Sequence, residues 1–251
     1  MSAPAVIDDG PQVFAAFAYP PNALGYCGPD DAAALLEQRG AAGETAALRS
    51  AAARFEGAWP YLRLIAAANA IADPLDRRVV EAYWIGNALL ERVDARMLGP
   101  SLEERFRRRA GRAWERLVAP VPEGARPHHN FHVFGVYPWV GLIRSGVVDE
   151  PLRVIDRCRI RWGRVEAIID DLALVRTRPL VWNGRKLALG PAAVEQARLR
   201  RGGASLAPDL LPGDWCAMHW DWVCARLSPS QVSQLRRWTG RTLAVCQQLP
   251  G

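Results

Sequence analysis

The chain has 251 residues, a length that suits one large domain or two smaller ones with real apolar cores. Half of the residues are hydrophobic and 23% are charged, an ordinary globular composition without repeats or low-complexity segments. A net charge of +6 permits an acidic partner, but 26 acidic residues are interspersed among 32 basic ones, so no basic tail reaches for nucleic acid.

Met1 to Pro11 carries two aspartates and no apolar segment, which predicts no signal peptide. Asp30 and Asp31 open an alanine- and leucine-rich helix that runs to Arg39 and ends at Gly40. A second helix is predicted over residues 44–55. Asp76 to Val93 has the clearest helical period, with Val80, Tyr83, Asn87 and Leu90 on one face. Ser101 caps a basic helix, with Glu104 completing a capping box. Pro120 to Pro127 reads as a loop, and Phe131 to Ile143 as an apolar helix that Pro138 must kink or interrupt. The longest apolar stretches are broken by Arg63 or by Pro138 and Gly141, so no segment is expected to span a membrane.

The texture changes near residue 151. Arg159 to Ile169 and Leu172 to Trp182 read as strands, and Asn183-Gly184 is a type I′ hairpin signal before a return strand at 185–189. Residues 191–212 read as a polar insertion. Trp215 to Leu227 reads as one further strand, and Ser228 caps a last helix through Val232, Leu235, Trp238 and Leu243. The predicted class is α+β: a mainly helical domain over 1–150, then a small OB-like β-barrel with a C-terminal helix over 156–251. Five cysteines at 27, 158, 216, 224 and 246 are odd in number and irregularly spaced, which predicts reduced thiols and a cytoplasmic protein.

Two segments carry a family resemblance. They are Cys158-Arg-Ile-Arg-Trp-Gly163-Arg-Val165 and Gly213-Asp214-Trp-Cys-Ala-Met-His219, the latter followed by Leu227 and the helix at Ser230 to Trp238. In order and separation they resemble the HypC/HupF-type [NiFe]-hydrogenase formation chaperones, over roughly residues 158–245. Three departures stand out: the family's cysteine is N-terminal, whereas 157 residues precede Cys158; Trp162 stands where the family usually has proline; and the insertion at 191–212 is longer than the family's. The whole chain also resembles an uncharacterised actinobacterial family associated with hydrogenase gene clusters. That likeness rests on Tyr19-Pro-Pro-Asn-Ala-Leu-Gly-Tyr-Cys27-Gly-Pro and Pro127-His-His-Asn-Phe-His132-Val-Phe.

The resemblance implies an assembly chaperone rather than an enzyme, with Cys158 and His219 holding an iron that carries cyanide and carbon monoxide, Fe(CN)2(CO), in passing. The implied partners are the hydrogenase large-subunit precursor and another maturation factor of the iron-ligand assembly scaffold.

Read as residues, a thiolate and a neutral imidazole suit a low-spin ferrous iron. Strand alternation puts Cys216, Met218, Trp220, Trp222 and Cys224 on one apolar face, the expected core. His219 falls on the other, with Asp221 as a candidate orienting carboxylate. Cys158 shares a phase with Ile160 and Trp162 unless it precedes the regular strand. His128, His129 and His132 form a second cluster, which lacks the glutamate of the zinc-protease pattern. Cys27 between Gly25 and Gly28, and Asn87 on the apolar stripe, complete the candidates. The alternatives are an enzyme of the same pathway, supplying the carbon monoxide or cyanide ligand from the helical domain, and a single-stranded nucleic-acid binder. The second is disfavoured because the tryptophan face reads as core.

Overall fold

The structure, a computed structural model, describes residues 9–30, 32–37, 45–94, 96–99 and 124–247. The basic helix predicted from Ser101 lies outside them, as does the end of the helix predicted to reach Arg39.

Helix α1 (Gly10–Ala23) starts at Asp9, whose carboxylate accepts from the Gln12 N–H at 3.0 Å. It is buried along most of its length and carries Pro20 and Pro21 within it. Proline has no N–H, so the carbonyls one turn earlier, on Ala16 and Phe17, lose their helical donors. The chain then turns through Gly25 and Gly28 at φ of 74° and 87°. Asn22 closes this loop by donating to the carbonyls of Cys27 and Pro29 at 2.7 and 2.6 Å. Only glycine fits at 28: a Cβ there would stand 2.3 Å from the Phe55 ring.

Helices α2 (Ala32–Glu37), α3 (Thr45–Ala53), α4 (Trp59–Ala68) and α5 (Arg77–Trp84) follow. The period predicted through Val93 stops earlier, because Gly86 takes φ +93° and the chain tightens into a 3-10 turn over Ala88–Arg92. Val80, Tyr83 and Leu90 are buried. Asn87 is instead a cap: its oxygen accepts from Leu89 N–H at 3.0 Å and its amide donates to the Arg78 carbonyl at 2.8 Å. Its polar groups are spent on backbone.

The short helix α6 (His129–Phe131) opens into a π-helical turn (His132–Val136), and Pro138 separates this from α7 (Trp139–Arg144). Helix α8 (Asp149–Cys158) packs Pro151, Val154 and Ile155 inward and runs through Cys158. The first strand therefore starts two residues later than predicted.

Strands β1 (Arg161–Ile169), β2 (Leu172–Thr177), β5 (Ala193–Arg198), β8 (Trp215–His219) and β9 (Trp222–Leu227) close into a ring in the order β1-β2-β5-β9-β8. Closure between β5 and β9 rests on one parallel pair, Arg198 with Trp222. The hairpin of β3 (Leu180–Trp182) and β4 (Leu187–Leu189) and the two-residue strands β6 (Arg200–Arg201) and β7 (Ala204–Ser205) lie outside the ring. Helix α9 (Pro229–Cys246) ends the fold behind a capping box of Ser228 and Gln231. The class is α+β, helices first, then strands, then a helix.

Three local expectations are corrected. The Asn183-Gly184 hairpin exists, but Trp182 pairs with Leu187, so the loop spans four residues. Asn183 Oδ1 accepts from the Arg185 and Lys186 N–H groups at 3.1 and 3.0 Å, a side-chain turn in place of type I′. Residues 191–212 are not merely an insertion, since they supply β5. Trp215 to Leu227 is a hairpin, turning at Trp220 and Asp221 between the paired His219 and Trp222.

That turn, with a register slip at Ala217 and Met218, resets the alternation. Cys216, Met218 and Val223 fill the ring with Val165, Ala173 and Val175. Ala217, Trp222 and Cys224 belong instead to the large core they share with the helices. Both faces of the hairpin are thus buried. Cys216→Ala and Cys224→Ala each remove one buried sulfur and are expected to cost about 1 kcal/mol. Thermal melts of the two variants, with metal uptake unchanged, check this.

Candidate metal centre

His219 ends β8 fully buried, where it meets α1. Its Nδ1 lies 2.7 Å from the Phe17 carbonyl. This is the carbonyl that Pro21, four residues on, leaves without a helical donor. A carbonyl only accepts, so Nδ1 holds the proton and Nε2 carries a lone pair. That Nε2 is buried and has no hydrogen-bond partner. The orienting group is therefore the Phe17 carbonyl and not Asp221. Asp221 is exposed on the hairpin turn, 3.7 Å from Arg198.

Cys158 reaches the same place from the last turn of α8, half-buried. Two arginines fix that end. Arg159 pairs with Asp156 and donates to the Arg178 carbonyl at 2.7 Å. Arg161 lies 3.1 Å from Glu195 and donates to the carbonyls of Asp156 and Trp220. Both are buried. The Trp220 N–H donates to the Arg157 carbonyl at 2.7 Å and ties the β8–β9 turn to α8. Trp220 sits at φ +52°, a conformation a bulky side chain seldom adopts unless its surroundings impose it.

His129 comes from α6. Its Nε2 is 2.9 Å from the Cys158 carbonyl and its Nδ1 is 3.2 Å from the Tyr83 hydroxyl. Asn130 secures this turn, accepting from the Ile160 N–H at 3.0 Å and donating to the Thr239 hydroxyl at 2.9 Å. One donor atom each from His129, Cys158 and His219 lie within 4.8 Å of one another. Metal bonds to sulfur and nitrogen of roughly 2.0–2.3 Å fit that separation.

The electrostatics suit soft-metal binding. Burial lowers the pKa of His129 to about 4, with the Cys158 carbonyl opposing weakly. Burial, then the neighbouring His129, takes His219 well below the usual imidazole range. Both rings are therefore neutral at pH 7. Burial drives the Cys158 thiol well up, Cys27 adding to this while the Trp220 side chain opposes it. The thiol stays protonated until a cation takes the place of its proton.

These three residues line a cavity of about 100 Å3 together with Cys27, His132, Tyr26, Tyr83 and Trp220. A larger open cleft of about 1090 Å3 lies beyond it and shares Tyr26, Cys27, Gly57, His132 and Tyr137 as common wall. Five candidate residues, Cys27, His129, His132, Cys158 and His219, thus meet at one cavity. Cys27 is a thiol that burial raises to about 12. His132 bonds Tyr61 through Nδ1 at 3.2 Å. His128 stays apart: it caps α6, its Nδ1 accepting from the Asn130 N–H at 3.1 Å, and stacks on Trp238. The sequence reading missed Phe17, Tyr83 and Trp220. Two prolines inside an alanine-rich helix signal freed carbonyls, but not which side chain claims them.

The model of the family described as "Family of unknown function (DUF6390)" matches residues 6–250. No curated protein and no solved structure matches the chain. The chain belongs to DUF6390.

Proposed function

We propose that this protein is a [NiFe]-hydrogenase maturation factor, a non-catalytic carrier in which Cys158 and His219 hold the iron-cyanide-carbonyl group for the large-subunit precursor. The observation that carries this reading is the convergence of two donors 61 positions apart to within 4.8 Å in one cavity. The orphaned Nε2 of His219 fits a metal, as does the thiol beside it. When bound, the iron group is cargo, and the chain's own residues orient it. Phe17 fixes the His219 tautomer, and the arginines at 159 and 161 hold the end of α8. Tyr26, exposed and stacked on Trp220 with ring centroids 4.3 Å apart, stands where cleft and cavity meet.

A second reading is favoured by Cys27 and His132 on the wall of the same cavity: an enzyme of the same pathway that supplies carbon monoxide or cyanide. The nucleic-acid reading has less support, because Trp220 and Trp222 are buried and offer no stacking platform. Among the described residues no helix is long and apolar enough to cross a membrane.

The test is infrared spectroscopy on protein purified from a hydrogenase-expressing host, together with deletion of its gene. Cyanide and carbonyl stretching bands on the protein, and an immature large subunit in the deletion strain, are expected. Normal hydrogenase activity without the gene or any paralogue would remove the pathway assignment.

A further inference from the structure

Among the residues lining the cavity, Cys158, His129 and His219 are the ones whose donors lie close enough to share an ion. They come from three separate elements, α8, α6 and β8. A three-residue set of this kind occupies one face of a metal and leaves the others to exogenous ligands. Of the three, His219 is ready through Nε2, and His129 can serve in either tautomer by giving up one of its two hydrogen bonds.

The charge balance says what the exogenous ligand must be. A divalent cation with one thiolate and two neutral imidazoles retains a charge of +1. The cavity wall contains no aspartate, glutamate, lysine or arginine, and is mostly tyrosine, tryptophan, phenylalanine, proline and small residues. A residual charge in such surroundings is costly unless a counter-charge sits beside it. Cys27 could supply one as a second thiolate, but its sulfur is not among the atoms within 4.8 Å. The volume of about 100 Å3 admits only a small partner. One donor faces the site, since the Trp220 indole Nε1–H is buried beside the Cys158 sulfur and has no nitrogen or oxygen acceptor within hydrogen-bond distance. An N–H of that kind is satisfied by an anion or an anion-bearing ligand.

We propose that His129, Cys158 and His219 form a three-donor metal site whose remaining positions face the cavity and take small monoanions of the cyanide and azide class, received by the Trp220 indole N–H. This builds on the Cys158–His219 site of the carrier reading and adds a third protein ligand and a ligand class. On that reading, the same open positions hold the cyanide and carbonyl groups of the cargo.

The test uses the full metal-free chain, titrated anaerobically with Co2+ and then with sodium azide, and followed by absorption spectroscopy. One cobalt per chain is expected, with a thiolate-to-metal charge-transfer band that Cys158→Ser removes and Cys27→Ala leaves in place. His129→Gln is expected to weaken cobalt binding by roughly 100-fold or more, beyond the loss typical of an outer-shell partner. Azide should shift the visible cobalt bands, and Trp220→Phe should weaken azide binding by more than it weakens cobalt binding. Circular dichroism and melts verify that each variant is folded. If His129→Gln does not fold, the azide response of the unmodified chain still decides whether the site is open. Visible bands indifferent to azide, or a charge-transfer band halved by Cys27→Ala, would overturn the open site and indicate one closed by two thiolates. These results come from metal and azide alone, so they stand or fall independently of the infrared and deletion experiments.

Discussion

Cys158→Ala and His219→Ala are each expected to abolish hydrogenase maturation in a complemented deletion strain while leaving the protein folded. Each variant deletes one member of a donor set that has few members to spare. His219→Ala also removes the ring that holds the Phe17 carbonyl, leaving that acceptor buried and unpaired at a cost of about 1–3 kcal/mol. His219→Gln is therefore the better partner variant, because its amide can still donate to Phe17. Metal affinity should fall by about 100-fold or more for each, since a lost ligand outweighs a lost outer-shell partner. Cys216→Ala, on a sulfur inside the ring, provides the control that keeps function. Full complementation by folded Cys158→Ala would eliminate the carrier role.

Acid should destabilise the metal-free protein steeply below pH 6.5. Burial holds His128 at about 3 and His129 at about 4, against 6.5 for a free imidazole, and lowers His219 as well. The sign follows from where protons bind. Below 6.5 the unfolded chain takes up protons that the folded chain refuses, so falling pH favours unfolding. The stabilisation of the neutral rings is complete above 6.5 and is lost progressively as pH drops toward the folded values. At pH 5 the cost is about 2 kcal/mol for each of His128 and His129, with His219 adding in the same direction. A melting temperature lower by on the order of 10 °C at pH 5 than at pH 8 is expected. His128→Asn retains an N-cap acceptor and lacks an imidazole, so its profile should be flatter. A melting temperature constant from pH 8 to 5 in the presence of chelator would show that these rings are not held neutral by burial.

The burial that makes the rings acid-sensitive also keeps them neutral, the form in which an imidazole binds a metal. A neutral imidazole offers a lone pair at pH 7, and a thiol that resists ionisation alone yields its proton to a cation. Because binding releases the Cys158 proton, metal should raise stability more as pH rises.

The chain by itself determined the order of the architecture. Helical periods precede short strands, and a capping serine opens a last helix, because these signals are local and act within a turn or a strand pair. It also singled out Cys158, His219, Cys27 and the histidines near 130 as the residues with chemistry to offer. What it could not determine was which of them meet. His129 and His219 are 90 positions apart, and their approach depends on β8 packing against α1 and on α6 being anchored by Asn130 to Ile160, just before β1, and to α9. The two-residue period misplaced the hairpin because Trp220 at positive φ reverses the chain, so residues on its two sides follow separate alternations. Asp221 drew attention as an orienting carboxylate on that same false alternation. The group that does orient His219 is a backbone carbonyl 202 positions away, released by Pro21. Local propensity can show that a proline frees an acceptor, but only the tertiary structure decides which donor takes it, because that donor arrives from another part of the chain.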